Sequence, residues 1–84
     1  MGKLTLVDEY DYKITTYMKG TRYFIDIVEW GQFVEAWLYR NDIGVKMMMW
    51  GEDLDVMGHT VDDFVRTVDA NVREYIKQYE RDYC

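Results

Sequence analysis

"RYFIDIVEWGQFVEAWLYRND", residues 22–42, decides how this chain folds. Two runs of alternating side chains flank Gly31-Gln32, and glycine at the first position of a two-residue loop suits a type II′ hairpin turn. Closing that turn pairs Ile25 with Leu38 and Ile27 with Ala36, which gives the hairpin an aliphatic face. The opposite face then carries Phe24, Asp26, Val28 and Trp30 against Phe33, Glu35, Trp37 and Tyr39. Rings and carboxylates share a surface that the core does not need.

The pattern extends on both sides. Alternation from Leu4 to Met18 predicts a preceding strand, and Gly20-Thr21 offers another two-residue turn. Closing it pairs Thr16 with Ile25 and Ile14 with Ile27. Asn41-Asp42-Ile43-Gly44 reads as a four-residue loop, which pairs Leu38 with Met47 and Ala36 with Met49. A one-residue slip would exchange the faces of a strand, so the aliphatic agreement of these turns sets the expected register. Beyond residue 58 the period changes. Val61, Phe64, Val65, Val68, Val72, Tyr75, Ile76 and Tyr79 fall on one helical stripe. Thr60 is a suitable N-cap, Asp62 and Asp63 sit in the first turn, and Arg73, Lys77 and Arg81 lie toward the other end, all with the sign the helix dipole favours. Residues 61–81 should form a helix about 30 Å long. The expectation is one α+β domain over residues 1–84: a four-stranded antiparallel meander with a C-terminal helix on its aliphatic face, β-β-β-β-α.

That arrangement leaves one side of the sheet open. It should carry Tyr17, Phe24, Asp26, Val28, Trp30, Phe33, Glu35, Trp37, Tyr39, Lys46, Met48 and Trp50. Contiguous exposed apolar surface marks interaction sites, and Trp, Tyr, Phe and Met are enriched at interface centres. We therefore take Phe24, Asp26, Trp30, Phe33, Glu35, Trp37, Tyr39, Met48 and Trp50 as a partner-binding face. Asp26 and Glu35 would each need a cation or hydrogen bond in a dry interface, from Lys46 or from an arginine of a partner.

The 84 residues, 49% hydrophobic and 17% aromatic, suit one globular unit and not a disordered chain. The net charge of −6 is unevenly placed, because residues 47–72 hold six acids against Arg66 alone. Glu52, Asp53, Asp55, Asp62 and Asp63 form an acidic segment that disfavours phosphate backbones and favours a basic protein partner. No apolar run approaches the length of a membrane span or a signal peptide, and the single cysteine, Cys84, is terminal. These features lead to the expectation of a soluble, cytoplasmic protein.

Reaction chemistry finds little footing. Asp53, Asp55 and Gly58 occupy positions one, three and six of a calcium loop, but Met57 and Phe64 stand where oxygen ligands are required. His59 is the only histidine, serine is absent, and Thr60 is committed to capping, so no nucleophile, base and orienter assemble. No phosphate-binding or dinucleotide fingerprint is present. The expectation is a non-enzymatic chain with no catalytic residues, metal or cofactor.

The β-β-β-β-α order resembles that of PC4-like single-stranded DNA-binding domains, a resemblance that implies bases stacking on the sheet rings. Such sites flank their rings with Lys and Arg, whereas Asp26 and Glu35 stand here, which disfavours direct nucleic-acid binding. Small acidic proteins, phage-encoded inhibitors among them, instead occupy basic grooves as nucleic-acid mimics. An inhibitor or modulator that binds a basic, nucleic-acid-binding protein is the leading functional expectation. A homodimeric structural adaptor using the aromatic face, or a PC4-like binder, is the alternative.

Overall fold

The computed structural model describes residues 12–84. Its elements are β1 (Tyr12–Lys19), β2 (Tyr23–Trp30), β3 (Phe33–Arg40), β4 (Lys46–Asp53), α1 (Leu54–Met57) and α2 (Val61–Tyr83). The strands form one antiparallel sheet in the order β1-β2-β3-β4. The α+β meander with a C-terminal helix is thus as expected. Expectations for residues 4–11, including whether the N-terminal stretch covers the aromatic face, lie outside the described residues.

The central hairpin follows its sequence. Trp30 opposes Phe33, Ile25 opposes Leu38 and Ile27 opposes Ala36. Gly31 takes φ +66°, which L-residues rarely adopt, so the two-residue loop depends on that glycine. Ile25, Ile27, Ala36 and Leu38 are buried with Met47 and Met49 beneath Phe64, Val68, Val72 and Tyr79 of α2. Complete burial of an aliphatic or phenyl side chain contributes roughly 1.5–3 kcal/mol, so this stripe holds the helix to the sheet. The helix runs two residues beyond the expected end.

Two registers differ from expectation. The loop between β1 and β2 has three residues, not two: Lys19 opposes Tyr23, and Tyr17, not Thr16, opposes Ile25. The slip exchanges the faces of β1. Tyr17 and Thr15 turn to the helix side, while Tyr12, Ile14, Thr16 and Met18 join the open face. Aliphatic matching of Ile14 with Ile27 was misleading, because β1 is an edge strand that is largely exposed on both sides. The second difference is a β-bulge opposite Ala36 and Trp37. Trp37 opposes Met48, but Ala36 opposes Trp50, which leaves Met49 as the extra residue. Trp50 consequently lies on the helix side, 5.5 Å from both the Phe64 and Tyr75 ring centres, and not on the open face beside Glu35. The run Met47-Met48-Met49-Trp50 has no alternation to oppose such an insertion.

Between β4 and α2, the expected acidic loop contains the short helix α1. Asp53 caps it by accepting from the backbone N–H groups of Asp55 and Val56, and Gly58 closes it in the left-handed conformation. The Leu54 N–H donates to the Gln32 carbonyl at 2.8 Å, which ties α1 to the β2–β3 turn.

Candidate functional site: the open sheet face

The open face is built around one carboxylate. Asp26 projects from the middle of β2 away from the helix, yet it is only 5% exposed. Thr16 Oγ1 donates to its Oδ1 at 2.7 Å, the Tyr39 hydroxyl approaches the same oxygen at 3.3 Å, and Lys46 Nζ donates to Oδ2 at 3.0 Å. Three strands converge on that one group. The Asp26 hydrogen bond, followed by its charge, raises the Lys46 ammonium above the usual lysine range. Burial, reinforced by the Asp26 charge, raises the Tyr39 phenol. Lys46 also lies 4.9 Å from the Tyr39 ring centre, a cation–π contact. A charge so enclosed and neutralised is not available to select an outside cation.

Around this cluster the face is largely apolar. Phe24 stacks on Tyr39 with ring centres 5.5 Å apart, and Tyr12 stacks on Trp30 at 4.8 Å. The Trp37 indole N–H donates to Glu35 at 3.0 Å, so the second carboxylate also has an internal partner. Tyr12, Ile14, Met18, Trp30, Phe33 and Met48 remain exposed. Opposite Glu35 stands Gly51, whose missing side chain is occupied by neighbours: an added Cβ would lie 3.3 Å from the Glu35 and Met48 side chains. The structure therefore brings together Phe24, Asp26, Trp30, Phe33, Glu35, Trp37, Tyr39 and Met48, and removes Trp50. Sequence reasoning missed Tyr12, Ile14, Thr16 and Met18 as members. A hydroxyl facing a carboxylate, which only the three-residue loop provides for Thr16, was the available clue.

The acidic segment gathers at one end of the molecule, where the β2–β3 turn, α1 and the start of α2 meet. Much of it has internal work. Gln32 donates to Asp53 at 3.1 Å, and this bond, with the cap contacts, lowers the Asp53 carboxyl below its ordinary range. Asp63 forms a reciprocal capping box with Thr60, which lowers its carboxyl likewise. Glu52 lies 2.8 Å from His59 Nδ1. Asp55 and Asp62 are left projecting into solvent without such contacts. Toward the opposite end Lys19, Arg40, Lys46 and Arg81 are each paired with a carboxylate, of Asp69, Asp42, Asp26 and Asp82 respectively.

Among the described residues no group of three or more His, Cys, Asp or Glu side chains could hold a metal ion, and no helix is long and apolar enough to cross a membrane. Compared with protein-family models, curated proteins and solved structures, the chain matches none.

Proposed function

We propose that this protein is a non-enzymatic protein-interaction module that holds its partner against the open sheet face. One observation carries the reading: exposed Tyr12, Ile14, Met18, Trp30, Phe33 and Met48 surround a carboxylate that the protein neutralises with its own lysine. The rings supply contact area, and internal pairing of Asp26 lets that area be covered without stranding a charge. The acidic end, with Asp55 and Asp62 unoccupied, steers the module toward a basic protein, in the specific version a nucleic-acid-binding protein that it inhibits or modulates. Base stacking on the same rings is disfavoured, because Lys46 is already engaged by Asp26.

The test is to identify proteins captured from a cell extract, purify the candidate and measure its affinity for wild type and variants across a salt series. Phe33→Asp should weaken binding about tenfold or more, equivalent to about 1.4 kcal/mol. Asp55→Asn with Asp62→Asn should chiefly flatten the salt dependence. A partner that binds the Phe33→Asp variant as tightly as wild type would remove the open face from the proposal. A labelled single-stranded oligonucleotide should not shift at low salt.

A further inference from the structure

The two edges of the sheet are treated differently. The β4 edge is interrupted by the bulge opposite Ala36 and Trp37 and ends in Gly51, Glu52 and Asp53. Bulges and charges are the usual protection against unwanted strand pairing. The β1 edge has no bulge, as its register with β2 runs unbroken from Tyr12 to Lys19, and it contains no proline. Its residues are largely exposed on both sides, with Ile14 at 51% and Met18 at 61%. Among the described residues no strand pairs with its outer side.

The hairpin geometry shows which groups that edge offers. A two-residue loop closes on a hydrogen-bonded pair, here Trp30 with Phe33, and the orientation then alternates along each strand. The odd-numbered residues of β2 therefore bond to β1, and their opposites are Lys13, Thr15, Tyr17 and Lys19. By the same alternation, the N–H and C=O groups of Tyr12, Ile14, Thr16 and Met18 point outward.

We infer that β1 pairs antiparallel with β1 of a second copy, joining two four-stranded sheets into one of eight. A two-fold axis perpendicular to the sheet keeps both helices on one side and both open faces on the other. Such an axis must lie midway between one residue and the same residue of the other copy, because a register offset by one would place the open face of one copy beside the helix side of the other. Centring on Thr16 sets Lys13 opposite Lys19 twice, and like charges directly opposite destabilise a pair. Centring on Thr15 avoids this. It sets Tyr12 opposite Met18, Ile14 opposite Thr16, Lys13 opposite the Tyr17 ring, and Thr15 opposite its own copy. Sulfur–aromatic and cation–π contacts both favour that register, and Lys19 keeps its 2.7 Å bridge to Asp69. Like-charge repulsion thus sets the register, and the outward backbone groups supply the pairing. The inference rests on the edge alone, and it would present two open faces side by side to an outside partner.

Light scattering over a dilution series should give twice the 10.2 kDa monomer mass for wild type at high concentration. Ile14→Pro removes an outward donor without touching the β2 ladder, and should be monomeric with unchanged far-UV circular dichroism. Trp37→Glu, on the open face, should dimerise like wild type. In a Cys84→Ser background, Thr15→Cys should oxidise to a cross-linked dimer, because a non-hydrogen-bonded pair brings Cα atoms to about 4.5 Å, within disulfide range. Thr16→Cys should cross-link at least tenfold more slowly. A wild-type monomer at every concentration, a dimer split by Trp37→Glu, or faster cross-linking at Thr16 would each overturn the inference. The cross-linking comparison decides the matter even if Ile14→Pro fails to fold.

Discussion

Lys46 Nζ lies 3.0 Å from the Asp26 carboxylate, and the two side chains are 53% and 7% exposed. The asymmetry determines what each substitution does. Removing the lysine leaves a carboxylate largely out of water with Thr16 and Tyr39 as its remaining donors. Lys46→Met should cost about 1–2 kcal/mol in urea denaturation, below the roughly 3–5 of a fully buried pair because Lys46 is screened by solvent. Combining it with Asp26→Val should recover most of the loss, since no charge then remains to be stranded. A double variant whose loss equals the sum of the two single losses would show that the pair is not coupled.

The pair also sets a basic limit on stability. The lysine is favoured in its charged form by Asp26, so its folded value is raised. The resulting stabilisation is fully present below the ordinary lysine value of about 10.4 and is lost as pH rises through the higher folded value. Wild type should lose stability above about pH 10.4 more steeply than Lys46→Met, measured by chemical denaturation at successive pH values.

The bulge makes the two tryptophans near the sheet centre unequal. Trp50 packs on Phe64 and Tyr75, whereas Trp37 stands on the open face bonded to Glu35. Trp50→Ala should destabilise by about 2–4 kcal/mol, a half-buried version of a core truncation. Trp37→Ala should cost under about 1 kcal/mol, the scale of a cross-strand pair. Thermal melts of the two variants make the comparison directly.

The same bulge shows where sequence patterning stops being informative. The β2–β3 hairpin was legible because both strands alternate and one glycine occupies the turn. The long helix was legible because Phe64, Val68, Val72 and Tyr79 keep a helical period behind the Thr60 cap. β1 was misplaced because an edge strand exposed on both faces places no apolar requirement on its register, so matching Ile14 to Ile27 had no physical force. Trp50 was misplaced because three consecutive methionines tolerate either face. The open face was recognisable from Phe24, Trp30, Phe33 and Trp37, but the enclosure of Asp26 was not, since it depends on Thr16 arriving from the slipped strand.

Acid should act first through the caps. Asp63 is held below the ordinary aspartate range chiefly by the Thr60 N–H, and Asp53 chiefly by Gln32. Carboxyls with depressed folded values add stability that is present above the unfolded value near 3.9 and is lost as pH falls through the lower folded value. Stability should therefore decline below about pH 4. Thr60→Ala breaks the reciprocal box at neutral pH and should cost about 1 kcal/mol, with a shallower acid decline than wild type. Denaturant midpoints at pH 3 to 7 would check both expectations. An acid limb that Thr60→Ala leaves unchanged would place the responsible carboxyls elsewhere.

Tyr79 connects the helix to the far end of the sheet through one hydroxyl. Its ring is fully buried, it donates to the Val45 carbonyl at 2.6 Å, and it accepts from the Arg40 N–H at 3.4 Å. Those two backbone groups flank the β3–β4 loop, whose Ile43 and Gly44 N–H groups both bond to the Arg40 carbonyl. Tyr79→Phe keeps the ring and its edge contact with Tyr23 at 5.9 Å, so the loss is confined to the hydroxyl. A fully buried carbonyl left without a donor would cost about 1–3 kcal/mol. Val45 is 41% exposed, so water can reach the region and the cost should fall near 1 kcal/mol. The loop should respond more than the core. Amide exchange at Ile43 and Gly44 should accelerate severalfold in Tyr79→Phe, while exchange at Ile27 and Leu38 changes only by the global loss. Equal acceleration at all four amides would mean that the hydroxyl stabilises the whole fold, with no particular hold on the loop.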